Sequence, residues 1–257
     1  MNFTLPKPKL GDVTAITITT ADLELSLKYW QQLGFAEFQR ADFPFPWIQI
    51  TDGALLIMLR KDPKPYIALT YYVKEMDAVV KDLKQAGIVV TQMPTPDPMV
   101  KRYQIQSPGA LLITLVTFFD GFVQPPGPTM LSMSPADYTN PDKYVNKVCG
   151  MFGEFAQPVK DLDASISFWE KLGFKALSKF TSPYPWAILS DGLAVVGVHQ
   201  TNNFSEPTIT FFAKDMKEKI EKLKAAGLAG LEGSTGLSNI TLTTAEGQKV
   251  NLFKLGM

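Results

Sequence analysis

The apolar positions change period early in the chain. Val13 to Thr20 mixes apolar and threonine positions as a half-buried strand does, while from Leu23 the apolar residues return every three or four positions. That second pattern predicts an amphipathic helix, closed by Leu33-Gly34-Phe35 with a glycine just past the last turn. Three short β-like runs follow, at roughly 35–40, 46–51 and 54–60. The cycle then restarts: a strand-like run from Tyr66, Glu75, an amphipathic segment ending in Ala86-Gly87-Ile88, and further runs near 88–92, 101–106 and 110–117. The unit reads β-α-β-β-β, twice in succession.

The whole pattern then repeats. Asp22, Leu23, Ser26, Trp30, Leu33, Gly34 and Phe35 recur as Asp161, Leu162, Ser165, Trp169, Leu172, Gly173 and Phe174, at an offset of 139 residues. The register holds through Pro44, Pro46, Trp47, Asp52 and Gly53, which match Pro183, Pro185, Trp186, Asp191 and Gly192. Further on, Met76, Leu83 and Gly87 match Met216, Leu223 and Gly227 at an offset of 140. Identities at a near-constant offset mark a duplication. The expected architecture is α+β: two tandem domains at 10–117 and 147–254, each of paired β-α-β-β-β units forming a cup-shaped mixed sheet with helices outside. The connector, 118–146, is rich in Pro, Gly, Ser and Asp, which favours irregular structure. Its Phe118, Phe119, Phe122, Met130 and Met133 are too apolar for a free tether, so it is expected to pack on the domain surface.

Composition narrows the function. The 257 residues carry 25 Lys and Arg against 25 Asp and Glu, so the broad positive field of a nucleic-acid binder is absent. A single Cys excludes an internal disulfide, and a single His excludes a His-rich catalytic metal site. The N-terminal stretch, interrupted by Pro6 and Pro8, has no signal-peptide core, and no apolar run approaches the ~20 residues of a membrane helix. A cytoplasmic protein acting on a small molecule, with no nucleic-acid or membrane partner, is the expectation.

Asp-Leu-x-x-Ser-x-x-(Tyr/Phe)-Trp followed by Leu-Gly-Phe, at Asp22–Trp30 and again at Asp161–Trp169, resembles the vicinal oxygen chelate superfamily, the glyoxalase/bleomycin-resistance/dioxygenase group. The resemblance implies a cup per domain, with metal ligands on cup-facing strands in the metal-dependent members. The first ligand position, seven residues before the motif Asp, holds Ala15 and Glu154. The others hold Ala68 and Thr208, fall near Thr114 and at Asn251, and fall near Ile57 and Val196. Only Glu154 is a good ligand, whereas a catalytic metal needs about three. No metal and no other cofactor is therefore expected. The resemblance then implies metal-independent binding of a small, partly hydrophobic or aromatic molecule in one or both cups, as in drug-sequestering proteins. A glyoxalase- or lyase-type enzyme with Glu154 as base is one alternative, and a scaffold with filled cups another.

Several residues are candidates for the cups. Glu154, sharing its strand face with Phe152 and Ala156 by alternation, is either a base in an apolar pocket or a carboxylate at the mouth bonded to Thr208 or Asn251. His199 ends a strand at the position of Arg60, which reads as a solvated rim or a substrate contact. Phe43-Pro44-Phe45-Pro46-Trp47 and Ser182-Pro183-Tyr184-Pro185-Trp186 either offer Trp47, Tyr184 and Trp186 as stacking faces or plug the core. Tyr72, Tyr103, Gln49, Thr17 and Thr114 are further ligand-contact candidates in the first domain, with Thr208, Phe212 and Asn251 in the second. Four units in one chain permit a monomer or a loose homodimer.

Overall fold

A computed structural model describes residues 5–43, 45–64, 66–109, 111–119, 121–125, 127, 131–228, 230–232 and 239–256; Pro44 and Met130, singled out above, lie outside these. The first half runs β1 (Val13–Thr20), α1 (Leu23–Gln32), β2 (Ala36–Ala41), β3 (Trp47–Thr51), β4 (Leu56–Lys61), β5 (Ile67–Val73), α2 (Met76–Gln85), β6 (Thr91–Met93), β7 (Arg102–Gln106) and β8 (Leu112–Thr117). After the connector, with a short α3 (Pro135–Tyr138), the second half repeats it as β9 (Met151–Pro158), α4 (Leu162–Lys171), β10 (Lys175–Phe180), β11 (Trp186–Ser190), β12 (Val195–His199), β13 (Thr208–Ala213), α5 (Met216–Ala225), β14 (Gly230–Glu232), β15 (Ile240–Thr243) and β16 (Lys249–Lys254).

Each half forms one 8-stranded mixed sheet, ordered β2-β3-β4-β1-β5-β8-β7-β6 and β10-β11-β12-β9-β13-β16-β15-β14. The first strands of the two units, β1 and β5, meet antiparallel in the middle, and each runs parallel to the last strand of its own unit. Local chemistry places the helices. Asp22 accepts from Leu25 N and Asp161 from Ala164 N, capping α1 and α4, and Gly34 and Gly173 end them at positive φ. Trp30 and Trp169 are fully buried, edge-on to Phe35 and Phe174.

Alternation sends Ile16, Ile18, Leu69 and Tyr71 to the helix-covered face, where one continuous core joins both halves. Phe35 meets Phe211, the Tyr71 hydroxyl donates to Asp191 Oδ2 at 2.7 Å, and Ser107 Oγ donates to Gln157 Oε1 at 2.7 Å. Cys149 is buried in the same core with its thiol pushed up by burial, as expected of an inert cysteine. In Lys-rich α5, Lys222 pairs with Glu218 at 2.7 Å on the exposed face, whereas Lys219 turns inward. That side chain is buried, with Nζ donating to Lys147 O at 2.7 Å.

Candidate functional site

The opposite faces of the two sheets form the cups, and the duplicated scaffold fills them differently. In the first, Val13 and Ala15 of β1, Leu56 and Met58 of β4 and Tyr72 of β5 form a small second core with Phe122 of the connector. The Phe122 ring lies 4.4 Å from Tyr72 and 5.9 Å from Trp47, centroid to centroid. Beneath it Thr17, Thr70 and Thr114 satisfy one another through hydroxyl contacts of 2.7 and 2.6 Å, and Gln49 is bonded to Gln39. The connector is thus not a surface strap throughout: Phe122 closes the first cup over Trp47 and Tyr72. Tyr103 is not in the cup at all; it packs with the helix-side core and lines a groove beside α2.

The second cup has a different floor. Glu154 stands on β9 opposite Thr210. A bulge at Gly153 reverses the parity beyond it, so Phe152 turns to the helix-side core and does not share the Glu154 face. Only glycine fits there, because a Cβ at 153 would lie 2.3 Å from the Phe212 ring. Phe212 therefore lies across the bulge, 6.2 Å from Phe253. On β12 the cup-facing position is Gly197, one residue beyond the expected Val196, which is buried in the core; likewise Met58 takes the place expected near Ile57. A Cβ at 197 would meet Glu154 Oε2 at 2.0 Å and His199 Nε2 at 2.7 Å.

Those two side chains meet over Gly197. His199 Nε2 lies 3.0 Å from Glu154 Oε1, with Glu154 3% and His199 8% exposed. His199 is consequently buried, and Glu154 is bonded to neither Thr208 nor Asn251. Asn251 instead donates to Thr208 Oγ1 at 3.1 Å and accepts from Thr241 at 2.9 Å. Aromatic rings enclose the imidazole: Trp186 stacks on it at 5.3 Å and 7°, Tyr184 and Phe204 present edges at 5.9 and 5.6 Å, and Phe180 stacks on the outer face of Trp186. Burial pushes the Tyr184 phenol up, and the nearby Glu154 charge adds to it, so Tyr184 stays protonated. Glu154 Oε2 and His199 Nδ1 are buried without a partner.

Such unpaired atoms cost on the order of 1–3 kcal/mol each; in the first repeat Gln49 Nε2 and Arg60 Nε are likewise buried without a partner. Phe204, Phe180, Gly197 and Phe122 escape a residue-by-residue reading of the sequence. Gly197 leaves a signal, as the glycine aligned with Met58 in the repeat, and Phe122 leaves one only as a connector ring too apolar for a free tether.

No protein-family model and no curated protein matches the chain. Its fold, however, matches solved structures over nearly its full length. Homoprotocatechuate 2,3-dioxygenase from Arthrobacter globiformis is 14% identical, with a TM-score of 0.60 over 99% of this chain and 82% of that one. The 2,3-dioxygenase LapB from Pseudomonas sp. KL28 is 14% identical, with a TM-score of 0.60 over 100% and 94%. A catechol 2,3-dioxygenase is 13% identical, with a TM-score of 0.56 over 95% and 87%. The chain shares the fold of these dioxygenases, in keeping with the paired β-α-β-β-β units expected from the sequence; at these identities the likeness concerns the fold alone. It overturns one expectation. The scaffold is shared with ring-cleaving enzymes and the first cup is closed by its own connector, so metal-independent sequestration of a small molecule is not upheld.

The fold's metal chemistry does not fit the donors of this chain. Among the described residues no three His, Cys, Asp or Glu side chains come together. Around Glu154 the cup offers Thr210, Gly197 and Asn251, and one carboxylate oxygen is already taken by His199. About three protein ligands are needed. Among the described residues, no helix is long and apolar enough to cross a membrane.

Proposed function

We propose that the protein is an enzyme of the isomerase or lyase type, with its reaction centre in the second cup and Glu154 as the base. The observation that carries this reading is the Glu154 carboxylate itself: buried, anchored through Oε1 to His199, and presenting Oε2 without a partner. A general base needs a fixed geometry and a free acceptor atom. The aromatic enclosure excludes water and strengthens any charge interaction inside it. The small molecule acted on would be cytoplasmic, and the closed first cup would serve as a brace. The dioxygenase scaffold supports an enzyme, while ring cleavage is not carried over because no three metal donors come together among the described residues.

The test is deuterium wash-in from D2O, followed by NMR, over a panel of carbonyl compounds, keto acids and amino acids. Wild-type protein should exchange a carbon-bound proton in at least one class, and Glu154→Gln should reduce that exchange by roughly 100-fold or more. Equal exchange by the variant removes Glu154 as the base.

A further inference from the structure

Two arginines of the first repeat converge on one phenol ring. Tyr66 lies just before β5, while Phe122 sits over Tyr72 at the other end of that strand. Arg102 opens β7, two strands away, on the sheet face that carries Thr70 and Thr114. Its Nη2 donates to the Tyr66 hydroxyl at 2.9 Å, with the guanidinium 5.6 Å from the ring centroid. Arg60, near the end of β4, lies 5.2 Å from the same ring and 4.5 Å from that of Phe45. Asp62 pairs with Arg60 Nη2 at 2.5 Å. The Lys64 backbone N–H and the Arg60 guanidinium hold its carboxyl below the usual range, and Arg102 adds to the effect. Two cations against one acid leave one positive charge uncompensated. Donors are left over as well: Arg60 Nε is buried without a partner among the described residues. Tyr66, whose oxygen accepts from Arg102, keeps its own proton to donate. The Arg60 side chain is 12% exposed and that of Asp62 24%, so the cluster is largely desolvated yet open to solvent. In the second repeat His199 stands at the Arg60 position, Glu206 at that of Tyr66 and Asn239 at that of Arg102. The shared scaffold therefore folds without the two cations.

We propose that Arg60, Arg102 and the Tyr66 hydroxyl form an anion site in the first repeat, and that its ligand is a small organic carboxylate of single negative charge. A carboxylate brings two oxygens that only accept, which suits a cluster whose unused groups only donate. Arg60 Nε, the nitrogens of Arg102 not engaged by Tyr66, and the Tyr66 proton are the donors, and bonds from a guanidinium to a carboxylate are among the strong ones. The charge count selects within the anions. One negative charge cancels the excess of Arg60 and Arg102 over Asp62, whereas a dianion overshoots it and a neutral amide leaves it unmet. The site uses neither Glu154 nor His199 and stands apart from any chemistry in the second cup.

The chain has three arginines, Arg40, Arg60 and Arg102, so the Nε–H region of an arginine-labelled NMR spectrum reads the site directly. The full-length protein is titrated with sodium acetate at fixed ionic strength, beside acetamide and inorganic phosphate. The Arg60 and Arg102 signals should shift saturably with acetate, with a Kd in the millimolar range. Arg40, exposed and paired with Glu24 and Glu37, serves as the control and should stay in place. Arg102→Gln should weaken acetate binding by about 10-fold or more, and Tyr66→Phe should weaken it while keeping the ring. Asp62→Asn removes the competing acid and should tighten it, a gain that a merely structural role for the cluster does not produce. These three variants carry the test even if Arg60→Gln fails to fold, because each leaves the more buried arginine in place. Shifts that are absent, or equal at Arg40, overturn the site. Acetate affinity unchanged in Arg102→Gln overturns its location. Acetamide binding as well as acetate, phosphate binding more tightly, or weaker acetate binding in Asp62→Asn overturns the ligand class drawn from the charge count.

Discussion

Gly197→Ala isolates the feature on which the site depends. The added Cβ would lie 2.0 Å from Glu154 Oε2, 2.5 Å from its Cδ and 2.7 Å from His199 Nε2, well inside van der Waals contact. The carboxylate must swing away, and the surrounding rings Trp186 and Tyr184 leave the imidazole little room to follow. Overpacking of a filled interior costs about 1–3 kcal/mol. Replacing a strand glycine with alanine returns about 0.5–1 kcal/mol of backbone entropy. The net expectation is a loss of about 1–2 kcal/mol, or about 2–8 °C in melting temperature for a chain of this size. Thermal unfolding measures the loss, and the ring nitrogens of the single histidine report the broken contact to Glu154. Unchanged stability together with an unchanged His199 spectrum would refute the argument that Gly197 makes the space for the pair.

Phe122→Ala opens the first cup beneath Trp47 and Tyr72; a loss of about 3–5 kcal/mol in urea unfolding is expected, and a loss below about 1 would show that Phe122 is no plug. Tyr71→Phe leaves Asp191 Oδ2 without its hydroxyl donor in the joint between the halves, which should cost about 1–3 kcal/mol by the same assay. Burial raises Asp191 and Asp52 above the usual carboxylate range, outweighing their backbone hydrogen bonds. A raised carboxyl binds more protons folded than unfolded. Its stabilising contribution is therefore present at acid pH and lost as pH rises from about 4 through the folded value. Asp191→Asn should flatten that part of the stability–pH curve, and an unchanged slope would dismiss the assignment.

The duplication, the four β-α-β-β-β units and the helix caps were legible because they rest on local rules. A strand alternates, a helix repeats near every fourth residue, and an aspartate or glycine fixes each end whatever lies beyond. Glu154 also stood out, as the one carboxylate at a position where the first repeat has Ala15. The sequence by itself could not show what Glu154 meets. Its partner, His199, sits 45 residues away on a neighbouring strand, and read locally a polar residue at a strand end is a rim. A single inserted residue at Gly153 changed which side chains share the Glu154 face, because strand parity is lost at a bulge. The plugging of the first cup by Phe122 was likewise decided in three dimensions: a connector ring finds whatever apolar surface is left open, and nothing in its own neighbourhood says which. Pattern determined the two cups; tertiary packing decided that one is closed with aromatic rings and that the other keeps a buried carboxylate and imidazole in contact.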